Sequence, residues 1–368
     1  MRKEVYIVGG GTSGLILARE LGKRGISATV FESDKKIGSK SDKASGILSA
    51  SGLKRLGIGF SSSIVNELYG ALFYAGKKKL HVRSNKLQAY VLDRVRLAEI
   101  CAHEAKEAGA NIVTGKKVDK ETLDRLSENG SIIVGADGAL SAVARWKGFP
   151  DTAQRILTFK EVYENSNYES SDEVSLFFSK RFSDGFFGWA APYGNSVVEL
   201  GVGTRSGSWN SKIAIERMKS EHVVHRFIEG AKLSSAKASI IPIGTRKYTA
   251  KDNVLLVGDA AGQVKATTGG GIIFGGACAI VAADAIEKNI AKGTPLEIYD
   301  KMWRALYGMD LYMHRALYSY YSKSSDKGIE MALWLADILG VGNFLGKYGD
   351  MDRLSLMLKR FFLRGLSE

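Results

Sequence analysis

Hydrophobic residues recur along this chain with two periods, and the switches between them lay out its elements. In "EVYIVGGGTSGLILARELGKRGISATVFESD" an apolar run, Val5 to Val8, meets a cluster of glycines. Leu15, Leu17, Ala18 and Leu21 follow at helical spacing, and a second apolar run, Ala28 to Phe31, ends at Glu32. That order predicts strand, turn, helix and strand, a β-α-β unit. "GSIIVGADGALSAVARWKG" (130–148) and "NVLLVGDAAG" (253–262) each predict a further strand running into a turn. Between them, "ILTFKEVY", "EVSLFFS" and "SVVELGVGT" read as sheet strands, with the polar turn "ENSNYESSDE" after the first. "LYGMDLYMHRALYSYYSK" returns to helical spacing.

The pattern predicts an α/β protein: a Rossmann-like dinucleotide domain, an inserted and mainly antiparallel sheet domain, and a helical C-terminal segment. The expected boundaries are 1–150 plus 246–290, 151–245 and 291–368, with a helical insert from Ser39 to Leu72 near the cofactor face. A chain of 368 residues is long for one small core, which favours two packed domains.

Gly9, Gly11 and Gly14 stand in a GxGxxG array between strand and helix. Such glycines permit a tight turn, close approach of a pyrophosphate, and packing of helix on strand. The helix N-terminus offers free N–H groups to phosphate. Glu32 falls where an acid binds a ribose hydroxyl, and its charge disfavours a 2′-phosphate. The array alone leaves NAD and FAD open. Asp137 in "GADGALS" and Asp259 in "GDAAG" mark two further strand ends. Gly269 to Gly271 then open a helix, as befits backbone brought against a flat ring.

This trio resembles the FAD fold of p-hydroxybenzoate hydroxylase and its relatives, which implies FAD as cofactor. The wording is closer still to the geranylgeranyl reductase family. "GDAAGQVKATTGGGI" resembles its GDAAGQVKPTTGGGI signature, with Ala266 for proline, and "FGWAAP" resembles its Y-x-W-x-F-P motif, with Phe187 for tyrosine and Ala191 for phenylalanine. "KYGDMDRLSLML" resembles its G-D-[IM]-D-R segment. "LDRVRLAEICAHEAKEAGANI" matches the helix whose first arginine, here Arg94, lies over the flavin. The resemblance implies cofactor contacts at Thr12, Ser13, Ala44, Ser45, Arg94, Val118, Asp137, Asp259, Gly270, Gly271 and Ile272. It implies prenyl-chain contacts at Phe187, Trp189, Pro192 and Tyr193. In "DKASGILSASGLKRLGI" Ala44 takes the place of a cysteine that many members carry near the flavin. The implied activity is FAD-dependent saturation of geranylgeranyl chains of archaeal-type lipid. A hydroxylase of the same fold and a catalytically altered lipid-binding paralogue stand as alternatives.

Only one GxGxxG array follows a strand and opens a helix, so electrons are expected from a transient donor, NAD(P)H or a ferredoxin-type protein. Cys101 and Cys278 sit in separate apolar helical stretches, without spacing for a disulfide or metal. That cysteine usage leads to the expectation of a reducing cytoplasm, with the protein either free there or peripheral on the inner face of the membrane. A strand beginning within four residues of the N-terminus leaves no room for a signal peptide, and no run is expected to span a bilayer. The net charge of +13 is scattered and carries no nucleic-acid module. "MDRLSLMLKRFFLRGL" places Leu354, Met357, Leu358, Phe361 and Phe362 on one helical face. A basic helix of this kind either lies on a membrane surface or packs on the core.

Overall fold

In the computed structural model of the chain, which describes residues 4–357 apart from 209, together with 359, the β-α-β unit forms as its pattern requires. Val5–Val8 pairs in parallel with Ala28–Phe31 on one side and Ile132–Gly135 on the other. Asn111–Val113 and Val254–Leu256 extend this sheet, and Ala250–Lys251 adds an antiparallel edge. Helices Thr12–Lys23 and Ile272–Lys292 share one apolar cluster with Ile7, Val30, Val134 and Leu255. They pass closely at Gly276, where a Cβ would sit 2.9 Å from Ile16 Cδ1.

A second sheet has seven strands, in the order Lys232–Ile243, Gln154–Glu164, Val198–Arg205, Gly188–Pro192, Glu173–Phe178, Gly70–Ala75 and Lys78–Arg83. Its pleat sorts side chains onto two faces. Phe159, Tyr163, Phe177, Ala190, Leu200 and Val202 cluster with Ala214, Ile215 and Met218 of helix Ser211–Lys219. Ile156, Leu176, Phe178, Trp189 and Ala191 face the other way, clustering with Ala266 beyond the first sheet and Tyr318 of helix Met309–Lys323.

Two expectations are corrected. The stretch from Ser39 to Leu72 is not a helical insert; its one α-helix is Ala50–Leu56, capped by Ser49 and ended by Gly57 at φ 58°. The remainder is largely short strands and single 3-10 turns, in which Ile47–Ser49 and Ile64–Leu68 both pair with Ala89–Leu92. β-branched and aromatic residues in "SIVNELYGALFYA" favour that outcome. The inserted sheet is likewise not confined to 151–245. Gly70–Ala75 pairs in parallel with Glu173–Phe178, a long-range partnership that local pattern does not reveal.

The C-terminal helices are Ile298–Trp303, Met309–Lys323, Asp326–Ile338 and Val341–Tyr348. The last covers the edge strand Lys78–Arg83 through Gly342 and Gly346, where a Cβ would lie 2.3 and 2.0 Å from the carbonyl oxygens of His81 and Arg83. Of the helical face read near the C-terminus, Leu358, Phe361 and Phe362 lie outside the described residues.

Candidate flavin and substrate site

The glycine turn is shaped for a phosphate ligand. Gly9 has φ +111°, and a Cβ on Gly14 would lie 2.2 Å from the Gly9 carbonyl, so helix and turn touch through backbone. At Gly11, by contrast, an added Cβ would meet nothing within 4 Å. No side chain caps the helix beginning at Thr12 and Ser13, so its leading N–H groups face that open space. Glu32 closes the turn: its Oε2 accepts from Gly10 N at 2.8 Å, and its Oε1 from Asp34 N at 2.8 Å and Ser33 Oγ at 3.0 Å. Val118 is buried in a cluster with Val8, Leu123 and Ile133, so it has only main chain to offer a dinucleotide. Asp137 is engaged as a cap, accepting from Ala142 N at 2.7 Å and Val143 N at 3.1 Å and from Ser141 Oγ at 2.5 Å. It fixes the shape of its turn.

Asp259 differs. It sits in the 3-10 turn Gly258–Ala261, and Gly271, just before Ile272, must lack a Cβ because one would meet Asp259 Oδ1 at 2.4 Å. Gly258 and Gly275 both press on Ser13, each with a Cβ position 2.5 Å from its Oγ, so three elements converge here. Among the described residues no group donates a hydrogen bond to the Asp259 carboxylate. Burial pushes it up to about 6, with Arg94 pulling the other way. Arg94 opens helix Arg94–Glu107 after the capping residue Asp93, and gives Nη1 to the Ser45 carbonyl at 3.0 Å. Its Nε is buried without a partner. Both groups lie deep in the fold and yet keep accessible surface, as groups facing an internal space do. An acceptor without donors and a buried donor without an acceptor fit a ligand that carries hydroxyls and carbonyls. The FAD polyol and ring supply both.

The segment Ala44–Ser45–Gly46 is held from the second sheet. Lys160 Nζ donates to the Ala44 carbonyl at 3.1 Å and to Glu199 Oε2 at 2.6 Å. Tyr193 donates its hydroxyl to Glu199 Oε2 at 2.8 Å and accepts from Gly46 N at 2.9 Å. Trp189 Nε1 donates to Glu199 Oε1 at 2.9 Å. Phe187 meets Trp189 edge-on at 6.1 Å and stacks on Phe186 at 4.3 Å. The structure thus brings Phe187, Trp189 and Tyr193 together. Pro192 ends its strand on the opposite face, by the alternation that sends Ala190 toward helix Ser211–Lys219, and stands outside this group. Lys160 and Glu199 went unnoticed in the sequence, although a charged residue amid "ILTFKEVY" and "VVELGVG" breaks an otherwise apolar face.

A second buried group fastens the G-D-M-D-R segment to the loop that leads into helix Ile272–Lys292. Lys265 Nζ lies 2.7 Å from Asp352 Oδ1, while Ser49 and Arg55 also reach Asp352. Burial alone would raise this carboxyl, but the Lys265 charge, Ser49 and Arg55 bring it below the usual carboxylate range. Asp350 caps the turn by accepting from Asp352 N and Arg353 N, and Arg353 pairs with Asp310 at 2.9 Å. His314, between Thr267 and the Asp352 carbonyl, is pushed down to about 4 by burial, with the Lys265 charge adding to it.

An uncapped helix over a glycine turn, a ribose-side acid and a buried acceptor at the second helix N-terminus define a dinucleotide-dependent flavoprotein oxidoreductase. The FAD binding domain family matches residues 2–275. An uncharacterized protein of Methanocaldococcus jannaschii is 30% identical over 97% of this chain and 94% of its own. A digeranylgeranylglycerophospholipid reductase of Methanothrix thermoacetophila is 27% identical over 89% of each. Among solved structures, a geranylgeranyl bacteriochlorophyll reductase-like protein of Thermoplasma acidophilum superposes with a TM-score of 0.79 at 20% identity, covering 91% of this chain and 92% of its own. The chain belongs to the FAD binding domain family of flavoprotein oxidoreductases, and digeranylgeranylglycerophospholipid reductases are among its relatives.

Proposed function

We propose that the protein saturates carbon–carbon double bonds in geranylgeranyl chains of an archaeal-type membrane lipid or its precursor. The observation that carries this reading is the apolar, aromatic face of the second sheet, with Phe187, Trp189 and Ala191 set against Ala266, Tyr318 and Tyr321. An isolated double bond offers a site no charge to grip, so a dry apolar enclosure is what recognises it. FAD, reduced by a transient donor of NAD(P)H or ferredoxin type, supplies hydride. This chain's residues do the rest. Gly11, Ser13 and Glu32 hold the nucleotide end, Asp259 takes the polyol hydroxyls, and Arg94 with Gly270 and Gly271 fixes the ring. Trp189 and Phe187 align the prenyl chain and exclude water.

A membrane lipid has to be reached at its bilayer. Met331, Trp334, Leu335 and Ile338 are exposed at i, i+3, i+4 and i+7 of helix Asp326–Ile338, and Tyr312 and Tyr320 are exposed on the preceding helix. Lys323 and Lys327 beside them, and the net charge of +13, suit an anionic surface. Among the described residues no helix is long and apolar enough to cross a membrane. The test of the reaction is anaerobic: photoreduced protein mixed with geranylgeranyl lipid should give products heavier by two hydrogens per bond. Flavin reoxidation that requires oxygen and adds an oxygen atom to the lipid would instead make it a hydroxylase.

A further inference from the structure

Saturating an alkene takes a proton as well as a hydride, and the dry face that binds the chain has to provide it. Few side chains there can. Cys101 and Cys278 are buried in the first-sheet core. His314 is engaged between Thr267 and Asp352. Tyr193 gives its hydroxyl hydrogen to Glu199 and its lone pair to Gly46 N, and burial holds it well above its ordinary range. Asp259 stands at the polyol position.

Lys160 remains. Across the pleat it is paired with Gly201, which is paired in turn with Trp189, so the ammonium and the indole stand on one face of adjacent strands. Only 7% of Lys160 is exposed, and Glu199 is fully buried. Of its three N–H groups two are accounted for, by Glu199 Oε2 and the Ala44 carbonyl. Glu199 accepts from Lys160, Tyr193 and Trp189, which holds it in place as a counter-ion. We propose that Lys160 is the acid of the reaction, delivering the proton to the alkene carbon that does not receive hydride, with Glu199 as its positioning residue. This rests on the reductase reading.

The balance is simple. The π pair forms one C–H bond with a proton from Lys160 Nζ, breaking an N–H bond and leaving a neutral amine. Bound, reduced FAD would supply the hydride, with its electron pair, for the other C–H bond. The lipid gains two hydrogens, the flavin loses two electrons, and solvent recharges the amine after product leaves.

The test compares the wild type with Lys160→Met, Lys160→Arg and the double variant Lys160→Met/Glu199→Gln, which leaves no unpaired buried charge. FAD content, oxidised flavin spectrum, melting temperature and lipid affinity by tryptophan quenching are measured first, and those of the double variant are expected to stay near wild type. Anaerobic reoxidation of the photoreduced flavin by geranylgeranyl lipid is then expected to slow at least 100-fold in the double variant, without rescue by arginine. Reoxidation within threefold of wild type, in a double variant that holds FAD and lipid normally, overturns the assignment of Lys160 alone. A double variant that loses FAD or lipid binding makes Lys160 structural and overturns it also. If wild-type reduced flavin is not reoxidised by the lipid, the reductase reading itself fails and this assignment falls with it.

Discussion

Asp259, the proposed acceptor for the polyol, carries a cost to the protein alone. Its carboxyl is raised to about 6 from an ordinary value of 3.8. A raised acid favours the folded state below the unfolded value, and that contribution is lost as pH climbs through the folded one. In FAD-free protein the loss is therefore complete by pH 7, at roughly 3 kcal/mol. FAD-free Asp259→Asn is expected to melt above FAD-free wild type at pH 7.5, with the gap closing toward pH 4. The same variant should hold FAD about 10- to 100-fold more weakly, since a charged acceptor to hydroxyls contributes roughly 1.5–3 kcal/mol. Equal melting curves at both pH values, or unchanged FAD affinity by fluorescence titration, would contradict the placement. Candidate residues of this kind can be read where consecutive positions carry one motif, as Gly9 to Glu32 and Gly258 to Ile272 do. Lys160, Glu199 and the Ala44 carbonyl come from three distant segments and meet only through strand pairing, so no local spacing announces them.

At the level of strands, Gly201 decides where the site's indole lies. A Cβ there would meet Trp189 Cζ2 at 2.0 Å, far inside contact distance. Gly201→Ala must push the ring away and lengthen its bond to Glu199. The expected cost is about 1–3 kcal/mol, read as a lower urea midpoint, together with a shifted tryptophan emission and slower lipid turnover. Parent-like stability and emission would show that the indole is not confined. The strand alternation itself was readable, since "ILTFKEVY" and "SVVELGVGT" form two adjacent strands as their pattern suggests. The error over 39–72 has the same physical root as the success. Short apolar runs do not declare helix or strand without their partners, and Ile47–Ser49 finds its partner only at Ala89–Leu92.

For the molecule as a whole, the exposed stripe on Asp326–Ile338 sets an expectation in solution. Trp334→Glu with Ile338→Glu should abolish sedimentation with anionic vesicles, and leave FAD content and melting temperature unchanged, because both side chains are exposed. Undiminished vesicle binding would move the membrane face elsewhere. The buried fastening of Lys265 to Asp352 bears on how such a protein is made. These partners are 87 residues apart, and Ser49 is 303 residues from the same carboxylate. At about 5–20 residues per second of synthesis, Lys265 emerges roughly 4–17 s before its counter-ion. Throughout that interval the loop before helix Ile272–Lys292 carries an ammonium without its buried counter-ion. The loop that carries Gly270 toward the helix N-terminus is therefore fastened only once the C-terminal segment has arrived, so a chain cut short before Asp352 is expected to hold FAD more weakly than the full chain.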